Sequence, residues 1–291
     1  MCYQLMKKFL ALCLLYLIIN VPLQGKEYLI VRDNNYNHGL FSCFTTNIGL
    51  LDLYDKGECA GLEVNYRNKG IYYEQKKGLN WWTYYFKPLK LGNTKNATKS
   101  ILSSQGHVDL ALKTLYDLPK ERIHSLIKKY IKVRKPINKE INRFVKNNFG
   151  DSFIIGVHYR GTDKNVVEAP RLKYERLYEA VVKLIGEVNQ PNYRIFIATD
   201  EAQLIDYMKA QFPDRIVCLP AIRSSDGNPL HYAADNKYRK GKEAVMDCLL
   251  LSRCHYLIRT SSNLSLCSTY FNPNIPVLLL NPGVLDRTGS P

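Results

Sequence analysis

The sequence predicts an α/β protein whose second half holds a parallel β-sheet with helices on both faces. Three observations predict this class. Short apolar runs of strand type recur after residue 150, segments with helical periodicity separate them, and polar residues follow several of the runs. Strands that alternate with helices form parallel sheets, because each crossover needs a long connection to bring the chain back.

The first half is expected to contain fewer regular elements. Strands are expected at Tyr28–Val31 and Leu62–Asn65, a helix at Leu40–Leu53, and a helical hairpin at Pro119–Phe149. Apolar residues three and four positions apart indicate the helical segments. The aromatic block Gly78–Lys87 is consistent with a packed core and with a sugar-binding platform, of which core packing is favoured.

The alternation of strands and helices lies in the second half. Strands are expected at Phe153–Tyr159, Arg194–Ala198, Arg215–Leu219, Tyr256–Arg259 and Val277–Leu280, and helices at Leu172–Ile185, Glu201–Phe212 and Lys242–Leu251. Gly150 and Asp151 end the preceding helical hairpin, so the boundary between the halves is placed there. The predicted segments are therefore 1–25, 26–150 and 151–291.

The N-terminus has the pattern of a secretory targeting segment. Lys7 and Lys8 precede an apolar run, Phe9–Ile19, and Gly25 follows shortly after. A basic region, an apolar core and a small residue near the end are typical of a signal peptide. An uncleaved signal anchor extending to Leu23 fits as well, and a buried first helix is the third possibility. Either signal would direct the protein to the secretory pathway or cell envelope, and an anchor would associate it with a membrane.

The charge balance is strongly basic. Lys and Arg number 41 against 26 Asp and Glu, for a formal net charge of +15. Such a charge favours polyanions, an anionic membrane surface or a phosphate-bearing ligand, although a solvated lysine-rich surface is the favoured interpretation. No nucleic-acid-binding motif accompanies the charge, so a nucleic-acid partner is not expected.

The cysteines do not indicate a metal site. None of the eight Cys forms a C-x-x-C pair, so a zinc site is not expected. Cys43 and Cys59 could form a disulfide if the domain is exported. Cys248, Cys254 and Cys267 lie in apolar stretches, which favours thiols buried in the core.

The first strand of the second half leads into a dense group of polar residues. Parallel sheets bind ligands at the carboxyl ends of their strands, so chemistry is expected in this group. Arg160 has the planar fork that suits a diphosphate, and His158 can add a hydrogen bond. Gly161 allows close approach of the backbone to a ligand. Lys164 and Glu168 are four residues apart, so Lys164 could orient Glu168 as a base. A solvated salt-bridge cluster is the alternative.

The same residues resemble the donor-site motif of the alpha-1,6-fucosyltransferases, which include the rhizobial nodulation enzymes, and more distantly that of the protein O-fucosyltransferases. The motif residues are His158, Arg160, Thr162, Asp163, Lys164, Glu168 and Ala169. Further along, Phe196–Glu201 resembles the family's strand that ends in Thr-Asp-Asp. Asp247 matches an Asp of the next helix, and Thr260–Asn263 resembles a Ser-rich loop. Order and spacing agree across residues 153–270.

The resemblance implies a fold of two Rossmann-like halves in the GT-B arrangement. It implies an acceptor-side domain with a helical linker at 26–150 and a nucleotide-sugar-binding domain at 151–291. The implied activity is inverting transfer of fucose from GDP-fucose to a glycan acceptor, without a metal and with no cofactor besides the GDP-sugar.

Roles follow position by position from the same resemblance. His158 and Arg160 would hold the diphosphate, Asp247 the guanine or ribose side, and Ser262 and Asn263 would lie at the phosphates. Glu168, supported by Lys164, would accept the proton of the acceptor hydroxyl. Gly161, Asp163 and Asp200 complete the expected donor site.

The sequence also departs from the family pattern. Many of these fucosyltransferases have two adjacent Arg residues, but Gly161 stands in place of the second. Glu201 stands in place of the second Asp of Thr-Asp-Asp, and Asn263 and Leu264 stand where Ser and Gln occur. The donor is therefore fucose or another GDP-hexose. Two alternatives to an enzyme stay open, a non-catalytic protein that binds nucleotide-sugars or glycans and a surface protein that binds polyanions.

Overall fold

The protein contains two β-sheets with helices packed against them, which confirms the predicted α/β class with two Rossmann-like halves. The computed structural model describes residues 28–32, 38–67, 70–92, 99–102, 111, 113, 115, 117–162, 171–225, 235–283 and 286. The predicted targeting segment, 1–25, lies outside these residues and stays a prediction. Within the described ranges, no helix is both long enough and apolar enough to cross a bilayer.

The N-terminal half is built on a four-stranded sheet. Its elements are β1 (Tyr28–Arg32), α1 (Leu40–Asp55), β2 (Gly61–Val64), α2 (Trp82–Tyr85), β3 (Lys90–Gly92) and β4 (Lys99–Leu102). The strand order is β3-β2-β1-β4, with β1 parallel to both neighbours and β3 antiparallel to β2. The short strands β3 and β4 are not predicted by the sequence, because neither shows a clear apolar alternation.

The predicted helix α1 is buried almost all round, from Leu40 to Leu53. An apolar helix of this kind belongs inside a domain rather than on its surface. The ring of Phe44 packs against the rings of Trp82, Phe86 and Phe271. The aromatic block is therefore part of the core, in agreement with the favoured interpretation.

The helical hairpin forms α3 (Lys120–Tyr130) and α4 (Lys135–Asn148). Pro136 lies in the first turn of α4, where a missing N–H leaves no hydrogen bond unmade. These helices pack against helices of the C-terminal half, and one hydrophobic core runs through both halves. The boundary near residue 150 stays a prediction, since the core does not divide there.

The C-terminal half contains a five-stranded sheet with all strand pairs parallel. Its elements are β5 (Phe153–Tyr159), α5 (Tyr174–Val188), β6 (Tyr193–Thr199), α6 (Ala202–Gln211), β7 (Ile216–Val217), α7 (Lys237–Leu251), β8 (Tyr256–Arg259), α8 (Asn263–Phe271) and β9 (Val277–Leu279). The strand order is β7-β6-β5-β8-β9. Along the chain, β6 and β7 are therefore added on one side of β5, and β8 and β9 are then added on the other side.

The possible disulfide between Cys43 and Cys59 is not formed. Cys59 is a buried thiol, and burial raises the pKa of this thiol to about 11. A thiol that holds its proton to this pH reacts slowly, because the thiolate is the nucleophile.

Candidate functional site

The residues that follow β5 and β8 lie side by side where the strand order reverses. The backbone N–H of Arg160, just after β5, donates to Oγ1 of Thr260, just after β8, over 2.9 Å. A reversal of strand order opens a crevice at the carboxyl ends, where sheets of this type bind ligands. The structure therefore brings together strand-end residues that the sequence placed in the site.

Asp200, which follows β6, holds the turn after β5. Its Oδ1 accepts a hydrogen bond from the backbone N–H of Gly161 over 3.0 Å, and its Oδ2 accepts one from Oγ1 of Thr162 over 2.7 Å. Nε of Arg160 lies 3.3 Å from the same Oδ2. Both oxygens of Asp200 are engaged in this turn, so in this structure Asp200 orients Arg160.

Gly161 has a different neighbour from the one expected. A Cβ placed on Gly161 would lie 2.2 Å from Cδ of Glu201, which is closer than atoms can approach. The Glu201 side chain is buried. Glycine at this position therefore leaves room for a carboxylate of the protein itself, and close approach of its backbone to a ligand stays a prediction.

A cleft of about 720 Å³, open to solvent, lies at these strand ends. His158, Arg160 and Asp200 line it from the strand ends, Asp247 lines it from α7, and Tyr72 lines it from the N-terminal half. The cleft thus combines cationic and anionic groups and lies between the two halves.

His158 and Arg160 differ in exposure within the cleft. His158, the penultimate residue of β5, is 4% exposed, whereas the Arg160 side chain is 28% exposed. A half-buried guanidinium keeps its charge and gains strength as a hydrogen-bond donor as water is excluded. Arg160 is therefore well suited to bind an anion that enters the cleft.

Asp247 is the most unusual acid of the cleft. It is 8% exposed, and its Oδ1 has no hydrogen-bond partner among the described residues. Burial raises the pKa of Asp247 to about 8, against the positive charge of Arg223 and with a smaller push from Glu243. A buried carboxyl oxygen without a partner is costly for the fold, so it indicates a ligand with hydrogen-bond donors at this position.

Ser262 and Asn263 lie at the start of α8, beside the cleft. Ser262 is the N-cap, and its Oγ accepts a hydrogen bond from the backbone N–H of Leu264 over 3.3 Å. Leu264 itself lines the cleft. The positive end of the helix dipole therefore faces the region of Arg160, an arrangement that favours anions.

Three predicted residues cannot be placed. Asp163, Lys164 and Glu168 lie outside the described residues, and so does His231. Two other histidines have structural roles. Nδ1 of His255 accepts a hydrogen bond from the backbone N–H of Ile154, and Nδ1 of His124 lies 3.0 Å from the carbonyl oxygen of Tyr270.

The sequence did not single out Tyr72, Lys240 or Glu243, which also line the cleft. Lys240 and Glu243 precede Asp247 by seven and four residues on α7. That spacing puts all three on one helix face, so Asp247 could have led to them. Tyr72 lies in a segment without a motif, and only the tertiary fold reveals its position.

The described residues offer no metal-binding cluster. In these ranges no group of three or more His, Cys, Asp or Glu side chains converges on one point. Of the carboxyl groups of the cleft, Asp200 is engaged by the turn after β5, and Glu243 pairs with Arg239 on α7.

Comparison with known proteins identifies the family. The family model described as Nodulation protein Z (NodZ) matches residues 110–281, more than half of the chain. The chain belongs to the NodZ family. Nodulation protein Z from Sinorhizobium fredii is 26% identical over 136 residues, which are 44% of this chain and 42% of that protein. The chain spans about two fifths of the length of the curated NodZ relatives it matches.

Solved NodZ structures share the fold. Fucosyltransferase NodZ from Bradyrhizobium, in its selenomethionine form, has a TM-score of 0.60 at 18% identity and covers 86% of this chain and 93% of its own. NodZ alpha-1,6-fucosyltransferase soaked with GDP-fucose has a TM-score of 0.58 at 18% identity and covers 91% and 97%. At such identities the similarity establishes the fold alone. The family match includes His158, Arg160, Asp200, Asp247, Ser262 and Asn263, the candidate residues that the structure places in or beside the cleft.

Proposed function

We propose that this protein is an inverting fucosyltransferase that transfers fucose from GDP-fucose to a glycan acceptor. The observation that carries the proposal is the pairing of two groups in one cleft. Arg160 offers a cation for a diphosphate, and Asp247 offers a buried carboxyl group whose Oδ1 has no hydrogen-bond partner among the described residues. The NodZ structures that contain GDP or GDP-fucose support the choice of nucleotide.

The diphosphate would bind at the ends of β5 and β8. Arg160 is the charged donor, and Asp200 fixes its orientation through the 3.3 Å contact with Nε. His158 and the first turn of α8, with Ser262 and Asn263, add hydrogen-bond donors on the same side. These groups would offset the negative charge that develops on the departing GDP.

Guanine would bind against Asp247. Guanine carries an N2 amino group beside its N1–H, so it presents two parallel donors on one edge. A carboxylate accepts both, whereas adenine presents a different pattern. The unpaired Oδ1 of Asp247 is therefore suited to recognise guanine, and the ionised form is the one that accepts both hydrogen bonds.

The reaction would be a single displacement. The acceptor oxygen forms a bond to the anomeric carbon of fucose while the bond from that carbon to the β-phosphate oxygen breaks. The hydroxyl proton passes to the Glu168 carboxylate, which Lys164 would orient, and the electron pair leaves with GDP. One displacement inverts the anomeric centre and needs one base, which the motif supplies in Glu168.

Titration with GDP by calorimetry tests the binding proposal. We expect Arg160→Ala to weaken GDP binding by about 2 to 4 kcal/mol, because a charge-assisted contact with the diphosphate is lost. Arg176→Ala is the matched control, since Arg176 forms an exposed pair with Glu179 on α5 and should bind GDP as the wild type does. Unchanged GDP affinity in Arg160→Ala would remove this arginine from the site.

Turnover is tested by GDP release from GDP-fucose with an array of glycan acceptors. Binding of GDP-fucose without release of GDP would support the non-catalytic alternative. Salt-sensitive binding to polyanions without nucleotide preference would support a polyanion-binding protein.

We expect turnover to survive chelation. Charge on the leaving GDP would be offset by Arg160 and the α8 N-terminus, and the described residues hold no cluster of metal ligands. Activity is measured before and after treatment with EDTA, with added manganese as the comparison. Loss in EDTA and recovery with manganese would contradict the metal-free mechanism.

A further inference from the structure

Glu201 is a buried carboxylate that bridges two parts of the chain. Nη2 of Arg171 lies 3.2 Å from its Oε1, and the hydroxyl of Tyr174 donates to its Oε2. Both of these partners, Arg171 and Tyr174, come after residue 170 in the sequence. Glu201 follows directly after Asp200 and is 2% exposed. A carboxylate so deeply buried needs partners of this kind to remain charged.

The other side of the same carboxylate lies against Gly161. A Cβ on Gly161 would be 2.2 Å from both Cδ and Oε1 of Glu201 and 2.5 Å from Oε2. All three contacts are to the Glu201 carboxylate, so a side chain at position 161 would have to displace this carboxylate from Arg171 and Tyr174. One buried group therefore contacts the chain before residue 163 and again after residue 170.

This arrangement connects two departures from the motif of related fucosyltransferases. Many of those have Arg in place of Gly161 and Asp in place of Glu201. Here the longer Glu201 side chain fills the space where a side chain at 161 would begin. The guanidinium that pairs with this carboxylate is that of Arg171. The two positions that depart from the motif are thus in direct contact in this protein.

We propose that Glu201 is a positioning residue that fixes both ends of the stretch carrying Lys164 and Glu168. The inference rests on the proposed function, in which Glu168 accepts the acceptor proton. Asp200 adds a second attachment at the first end through Gly161 and Thr162. Fixing the two ends of a chain segment removes conformations from it, and misplacing a reacting group by about 1 Å can cost on the order of 100-fold in rate.

The first test is Glu201→Gln. The amide keeps the shape and can still accept from Tyr174, but it loses the charge that pairs with Arg171. We expect kcat to fall on the order of 10- to 100-fold, while the KM for GDP-fucose and the Kd for GDP stay within about threefold. Glu179→Gln removes one member of the exposed Arg176–Glu179 pair and is the matched control, for which no change is expected.

Arg171→Gln is the second variant, and it guards against a folding defect. The Arg171 side chain is 66% exposed, so its replacement leaves the packing of the core intact, whereas the thermal midpoint should fall modestly because the buried Glu201 loses its paired charge. We expect the same fall in kcat as in Glu201→Gln. The double variant should be no slower than either single variant, because all of them break one ion pair.

A third variant tests the contact with Gly161. Gly161→Ala should lower kcat because its methyl group would displace the Glu201 carboxylate. Combining it with Glu201→Asp should recover part of the loss, since the shorter side chain leaves room for the methyl group. A role in overall stability alone would lower the thermal midpoint and GDP affinity together with kcat.

The outcomes separate this inference from the proposed function. Failure of the wild type to release GDP from GDP-fucose would overturn the function. A wild type that turns over, with Glu201→Gln and Arg171→Gln both within twofold of its kcat, would overturn the role of Glu201 alone. A double variant whose loss of kcat equals the product of the two single losses would also overturn it.

Discussion

Glu168→Gln is expected to lower kcat by about 100-fold to 10,000-fold while leaving the KM for GDP-fucose nearly unchanged. Gln keeps the shape of Glu but cannot accept a proton, so only proton transfer is lost. Donor binding is assigned to other residues, above all Arg160 and Asp247, and these are unaltered. Steady-state turnover and GDP calorimetry on the same preparation measure the two quantities separately.

Lys164→Ala should change kcat in the same direction, because Lys164 would orient the base from four residues away. Glu187→Gln is a suitable control. Glu187 forms a pair of the same spacing with Lys183, both side chains are exposed, and such a pair is worth at most about 1 kcal/mol. Full kcat in Glu168→Gln would show that Glu168 is not the base and would move the search to Asp200, which lines the cleft, and to its neighbour Glu201.

The central strand is the element that the sequence predicts best. The expected bounds of β5, Phe153–Tyr159, are those of the structure. A strand buried on both faces must be apolar throughout, so the run itself marks the element. Polar residues begin at its carboxyl end, where sheets bind ligands, which is why Arg160 could be assigned to the site.

Helix α8 was missed for an equally physical reason. Its sequence is rich in Ser and Thr, and the expectation for its first residues was a loop. In the structure Ser265, Ser268 and Thr269 donate to backbone carbonyls three to five residues earlier. These bonds satisfy hydroxyl groups inside the core, so tertiary burial outweighs weak helix propensity.

The roles of the acidic residues required the structure. Asp200 and Glu201 are adjacent in the sequence, yet Asp200 orients Arg160 while Glu201 bridges Gly161 and Arg171. Nothing in a Thr-Asp-Glu sequence separates these two roles. The separation arises because the two side chains leave the end of β6 in different directions.

Asp247→Asn is expected to make the protein more stable and to weaken GDP binding. Burial raises the pKa of Asp247 in the native state to about 8, from its ordinary value of 3.8. Between these pH values the native state holds a proton that the unfolded state has released, so stability falls as pH rises. Asn carries no charge and avoids this cost, which is on the order of 5 kcal/mol at pH 8.

The gain in thermal midpoint should therefore depend on pH. Near pH 4 the variant and the wild type should differ little, and the difference should grow up to about pH 8 and then level off. Asp206→Asn, at an exposed position of α6, should show no such trend. A lower midpoint for Asp247→Asn at pH 8 would contradict the assignment of a buried, unpaired carboxyl group.

GDP binding should change in the opposite direction. The Asn side chain presents one acceptor and one donor, so its amino group would oppose a donor of guanine, and we expect a loss of about 2 to 4 kcal/mol. In the wild type GDP should bind the ionised form of Asp247, so its affinity should rise with pH up to about 8. Calorimetry in buffers of different ionisation enthalpy should accordingly detect proton release on binding. Asp247→Asn should abolish this release, and equal proton release in both proteins would remove Asp247 from the guanine site.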